Sequence, residues 1–258
     1  MRRKIVIVAM LGLLALAGTA MASSFSEEVV IGDLVLKAHG GFSPDALPKH
    51  HDAPIVTQGG GKLSTLSGEI PPILDTFVLE FDRHGHLDTT GLAVCTKGKL
   101  VATEVAKARR NCKGSIVGTG FGSAIVALPE SKPFKVGSPI TLFNGPKKGG
   151  NDTIFAHAYL DYPGPTTFIV PIVIEKIHKG VFGYRVKVKI PKIAGGYGHP
   201  TEGSAKVGVK WKYKGREHSY INARCETGHF RVRGEFSFKE VPTVLQANFF
   251  LPCKVRKE

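Results

Sequence analysis

Apolar and polar residues alternate with a period of two in many short stretches of this chain, most cleanly over residues 181–190. Tyr184, Val186, Val188 and Ile190 point one way and Arg185, Lys187 and Lys189 the other, the pattern of a strand with one face on a core. Residues 204–214 repeat the design, with Val207, Val209, Trp211 and Tyr213 set against Lys206, Lys210, Lys212 and Lys214. Residues 230–239 do so again, Phe230, Val232, Phe236 and Phe238 alternating with Arg231, Arg233 and Lys239. Further strands are predicted over residues 27–38 with a turn at Gly32-Asp33, and over 76–82, 115–128, 140–143, 153–160, 166–176 and 244–251.

Breakers and caps set the rest of the pattern. Residues 39–62 carry Pro44, Pro48 and Pro54 and end in Gly59-Gly60-Gly61, which predicts an irregular connector that no central strand crosses. Pro171 lacks an amide proton, so its strand is expected to bulge or to lie at an edge there. One short helix is predicted over residues 103–110, with Thr103 as its cap, Glu104 in the first turn and Lys107, Arg109 and Arg110 toward its end. About a dozen clean strands with polar turns and one helix predict an all-β protein, an antiparallel β-sandwich. The expected organisation is a leader over residues 1–22, N-terminal strands with the connector over 23–62, and the sandwich domain over 63–258.

The leader is read from Arg2, Arg3 and Lys4, an apolar run from Ile5 to Leu16, and the small-residue site Ala20-Met21-Ala22. Together these describe a secretory signal peptide cut after Ala22. The run is too short for a membrane span, and no later stretch approaches one. A secreted or cell-wall-associated protein is therefore expected. In an oxidising compartment the four cysteines form two disulfides, and Cys95–Cys112 with Cys225–Cys253 joins sequence neighbours. A zinc site is not indicated, because no C-x-x-C pair exists.

The whole chain carries 35 basic and 21 acidic residues, a formal charge of +14; without the leader 32 basic residues remain. Such a balance favours anionic polymers or surfaces. The candidate contact is a basic sheet face of Arg185, Lys187, Lys189, Lys206, Lys210, Lys212, Lys214, Arg231 and Arg233, provided their strands are neighbours facing alike. The plain alternative is that these cations solvate the outer face and guard sheet edges. Nucleic acid is not specifically indicated, because the aromatics alternate inward instead of forming stacking platforms.

Chemistry is sparser. Asp82, His84, His86 and Asp88 would share one face if extended, which suits a metal site, with His50 and His51 as further ligands; a turn at His84-Gly85 is the preferred reading. His157, alone among apolar neighbours, reads as a hydrogen-bonded core residue. Gly118-Thr119-Gly120-Phe121-Gly122 fails as a nucleotide loop, since Ser123 stands where the third glycine belongs; close backbone approach explains it. No nucleophile elbow or zinc-protease helix is present, no cofactor is indicated, and a secreted carbohydrate-active hydrolase stays open only by analogy of fold.

Phe42-Ser43-Pro44-Asp45-Ala46-Leu47-Pro48, the run from His86 to Cys95, Leu142-Phe143-Asn144-Gly145, the run from Ile190 to Gly196, Tyr213-Lys214-Gly215 and the run from Ser219 to Cys225 carry a resemblance across most of the chain. They resemble an uncharacterised family of secreted, β-rich actinobacterial proteins. The resemblance implies export and the same cysteine framework, and brings no activity and no catalytic residue.

Overall fold

The computed structural model describes residues 22–239 and 241–256, so all of the leader before Ala22 lies outside the described residues. In chain order the strands are β1 (Ser23–Ile31), β2 (Leu34–Ser43), β3 (Ala46–Leu47), β4 (Ala53–Pro54), β5 (Val56–Thr65), β6 (Leu74–Asp82) and β7 (Gly85–Leu87). After the helix α1 (Val105–Asn111) follow β8 (Ile116–Val126), β9 (Phe134–Lys148), β10 (Asn151–Leu160), β11 (Thr166–Lys179) and β12 (Phe182–Lys189). The chain ends with β13 (Gly198–Val207), β14 (Lys210–Tyr213), β15 (Arg216–Ser219), β16 (Ile221–Ala223), β17 (His229–Phe238), β18 (Val244–Pro252) and β19 (Lys254–Val255).

The protein is all-β and antiparallel, with twelve strands in one sheet in the order β1-β2-β5-β13-β8-β9-β10-β11-β12-β6-β17-β18. Alternation explains much of it: strands such as β6, β12 and β17 each offer one apolar face, and register carries that face from strand to strand. Phe77 lies beside Val188 and Phe236, and Val186 beside Ile174 and Leu79. The sheet curls until its two edges meet. Phe25 of β1 stacks on Phe249 of β18 with ring centroids 4.8 Å apart, and the Ser23 hydroxyl donates to the Pro252 carbonyl at 2.5 Å.

Short segments between the long strands fill the interior. Tyr220, fully buried, packs with Val117, Leu142, Ile154 and Ile174. Leu47, Ile55, Ala223 and the Cys225–Cys253 bridge pack with Leu36, Phe230, Leu245 and Phe249. Elsewhere the outer face is covered too. The segment closed by the Cys95–Cys112 bridge carries α1 across β9 and β10, burying Phe143 and Phe155 with Leu100 and Ala108. Both disulfides are those expected.

Four local expectations are corrected. A central strand, β5, does run through Gly59-Gly60-Gly61, because the prolines fall outside it and the glycines suit a crowded position. A Cβ on Gly60 would lie 2.7 Å from the Gly203 carbonyl oxygen of β13. β1, β2 and β5 therefore all belong to the main sheet, while β3 and β4 pair elsewhere. The run over 204–214 is two elements, broken at Gly208, whose φ of 145° leaves the sheet beside Val56. Thr103 does not cap α1: its hydroxyl donates to the Leu100 carbonyl at 2.6 Å, and Glu104 holds the cap position without a side-chain bond. The turn after β6 is at Arg83-His84, and β7 leaves β6 to pair with β16. Pro171 behaves as expected, since the β11–β12 ladder ends at Val173 and Lys187, short of it.

Candidate functional site

Strand order decides where the nine candidate cations go. β12 carries Arg185, Lys187 and Lys189, and β17 carries Arg231 and Arg233, with β6 between them. Lys206 lies on β13, separated from β12 by four strands. Lys210, Lys212 and Lys214 belong to, or directly follow, a two-stranded sheet of β14 and β15 outside the twelve. The nine do not form one continuous face.

The group around β6 is an alternating charge row. Register places Glu175, Arg185, Glu80 and Arg233 side by side across β11, β12, β6 and β17. Glu80 is 4% exposed. Arg185 donates to its Oε1 from Nη2 at 2.7 Å and from Nε at 3.0 Å, and Arg233 donates to its Oε2. Burial alone would raise the Glu80 carboxyl, but the two guanidinium hydrogen bonds outweigh it and hold the group below the usual glutamate value. Lys189 is likewise held by Asp75 at 2.7 Å. Most of the charge here is answered within the protein.

The β14–β15 hairpin is built differently. Trp211 and His218 lie opposite each other and stack with centroids 5.6 Å apart, while Tyr213 meets the His218 ring edge-on. The Trp211 indole donates to the Thr90 carbonyl at 3.0 Å. Tyr213 rests on Gly91, where any Cβ would stand 2.2 Å from its ring. Asp88 Oδ2 is 2.7 Å from His218 Nδ1. Burial acts to raise the Asp88 carboxyl, yet the bonds from His218 and Thr90 leave it below the ordinary aspartate value. This aromatic and ionic underside fixes the hairpin on the 88–91 loop. Lys210 and Lys212 occupy the opposite face with Glu217, and Lys210 pairs with Glu217 at 3.6 Å. Lys214 lies over the Tyr213 ring at 5.4 Å. Lys212 and Arg216 have no carboxylate partner among the described residues.

The proposed metal quartet is not assembled. Asp82 and His84 meet at the turn, Oδ1 to Nδ1 at 2.7 Å, while His84 Nε2 faces Glu226 at 2.6 Å. Asp88 is committed to His218, and His86 is exposed on β7. No group of three or more His, Cys, Asp or Glu among the described residues is placed to hold a metal ion, His50 and His51 included. The reason is the departure of β7 from β6, which breaks the shared face that an extended chain would have had. Glu80 and Asp82, the acidic pair on β6, are each engaged by cationic or imidazole partners and do not face each other across a cleft.

His157 is fully buried under the disulfide-closed segment, its Nε2 2.9 Å from the Thr103 carbonyl oxygen, which requires a proton on that nitrogen. Burial holds its pKa below the usual histidine value. It is a core residue, as expected. Sequence reading missed Glu80 as the centre of the arginines and His218 as the core of the hairpin. The first could have been suspected from a lone glutamate among apolar strand neighbours; the second carried no signal.

Fold and site together define a disulfide-braced, antiparallel all-β protein, and no helix among the described residues is long and apolar enough to cross a membrane. Compared with models of known protein families and with curated proteins, the sequence matches none.

Proposed function

We propose that the protein is an extracellular, non-catalytic binder of anionic polymer, either cell-wall polymer or acidic polysaccharide, and that the β14–β15 hairpin is the contacting element. The observation that carries this reading is the hairpin's construction. Lys210, Lys212, Lys214 and Arg216 stand on it with Glu217 as the one acid between Lys210 and Ser219. Trp211, Tyr213, His218 and Asp88 hold it from beneath. A braced hairpin loses little freedom on binding, so its charges are presented at low entropic cost. Two disulfides and the leader-like first residues support an extracellular setting, as does the resemblance to secreted actinobacterial β-rich proteins.

The test is retention of the chain lacking residues 1–22 on isolated cell wall and on an anionic glycan column across a salt series. The comparison is a variant with Lys210, Lys212, Lys214 and Arg216 changed to Gln. Exposed charges act over a Debye length of ~8 Å at physiological salt, so retention should fall steeply as salt rises. Elution of the variant at clearly lower salt supports the reading. Identical elution of the two proteins, or flow-through of both, rejects it.

A further inference from the structure

A second place on the surface combines free charge with apolar rings. Outside the sheet, where β12 and β17 begin and β18 ends, lies an open cleft of about 370 Å³ lined by Val181, Phe182, Arg231, Asn248 and Phe250. Phe250 is on the outer face of β18 and 53% exposed, although alternation along β18 turns Leu245, Ala247, Phe249 and Leu251 into the core. About half of the Phe250 ring stays open to solvent, and the weight of the observation lies in the charged and aromatic groups gathered around it. Register sets Arg231 directly beside it, the guanidinium 5.9 Å from the ring centroid, and the His229 ring 5.7 Å away. The second ring, Phe182, carries the Arg233 guanidinium at 4.9 Å.

The two arginines differ in what they have left to offer. Arg233 is bound to Glu80. Arg231 has no carboxylate partner among the described residues: its Nε contacts only His229 Nε2, at 3.4 Å. The nearby Asp82 carboxylate is turned to the Arg231 backbone amide and to His84. The cleft therefore presents one guanidinium without a carboxylate partner among the described residues, the Asn248 amide and apolar rings together.

We infer that this cleft seats a carboxylate-bearing sugar unit, a uronic acid residue of a glycan. A pyranose ring has an apolar C–H face that packs on a phenyl ring, and hydroxyls at its rim that an amide such as Asn248 can bond. A guanidinium matches a carboxylate through two parallel hydrogen bonds, a match that an ammonium cannot make. The volume lies near the lower end of small-ligand sites. The inference shares its ligand class with the proposed function, but rests on a different surface and on none of the hairpin residues.

The test is an amide NMR titration of the chain lacking residues 1–22 with trigalacturonate, beside the neutral galactose trisaccharide and inorganic phosphate. Shifts grouped around Phe182, Arg231 and Phe250, with trigalacturonate alone, are expected. Arg231→Gln and Phe250→Ala should each weaken binding by about tenfold, and Arg231→Lys should recover little of it. Unchanged spectra away from the cleft confirm that these exposed substitutions leave the fold intact. The hairpin variant should bind trigalacturonate as the parent does, so this site and the polymer-binding reading can fail separately. Equal binding of the neutral sugar or of phosphate, an unchanged affinity in Arg231→Gln, or no shifts at millimolar trigalacturonate overturns the inference.

Discussion

At the scale of single residues, Glu80 is the group on which most depends locally. It is buried between two guanidinium groups supplied from positions 105 and 153 residues away in the chain. Glu80→Gln leaves two cations facing a neutral amide, and breaking such a pair costs about 3 kcal/mol. Urea unfolding should show that loss at neutral pH. Because the folded Glu80 carboxyl lies below its unfolded value, its contribution is present above the ordinary glutamate range and disappears as pH falls through the folded value. The gap between parent and variant should therefore close in acid. His157 behaves with the same sense for a different reason. Burial depresses its pKa, so the folded state needs it neutral, and stability falls as pH drops below the ordinary histidine value of ~6.5. His157→Gln should be less stable than the parent at pH 7.5, with the difference in melting temperature shrinking toward pH 5.

At the scale of elements, two fittings make distinct predictions. The segment between Cys95 and Cys112 is a cover laid over β9 and β10, and its bridge closes a short loop worth ~3 kcal/mol in the chain-entropy model. Replacing both cysteines with serine should expose the segment to limited proteolysis while the sheet beneath stays protected from hydrogen exchange. β5 is the opposite case, an element whose backbone is itself the fitting. Gly60→Val would drive a side chain into β13 at Gly203 and Ser204, and should lower the yield of folded protein far more than the same change at Gly164, an open position without a positive φ. Elements of this kind show what a sequence discloses. Alternation located β6, β12, β17 and β18, and for β12 and β17 told the inner from the outer face, because that property is local to each strand. The strand through three glycines was hidden, because Gly60 answers to Gly203, a neighbour 143 residues further on. The basic residues were identifiable one by one, whereas their grouping was not: it depends on strand order, and strand order is a long-range property. Glu80 between its arginines and His218 beneath Trp211 are products of register and of packing in the same way.

At the scale of the whole molecule, the main sheet has two free edges that face each other, and the Phe25–Phe249 stack bridges them. Unpaired edges are templates for association with other chains. Phe25→Ser should raise hydrogen exchange in β1 and β18 while leaving β8, β9 and β10 protected, and should increase light scattering on mild heating. The same geometry bears on how the chain reaches its final form. Among the described strands β1 is made first and β18 is the last long one, yet they are the two that must meet. No partial chain can bring these edges together, so the seam closes only after synthesis has passed Pro252. Contacts this distant in sequence form slowly. Until they form, β1 waits with one side open, and in that interval its edge is available to other chains.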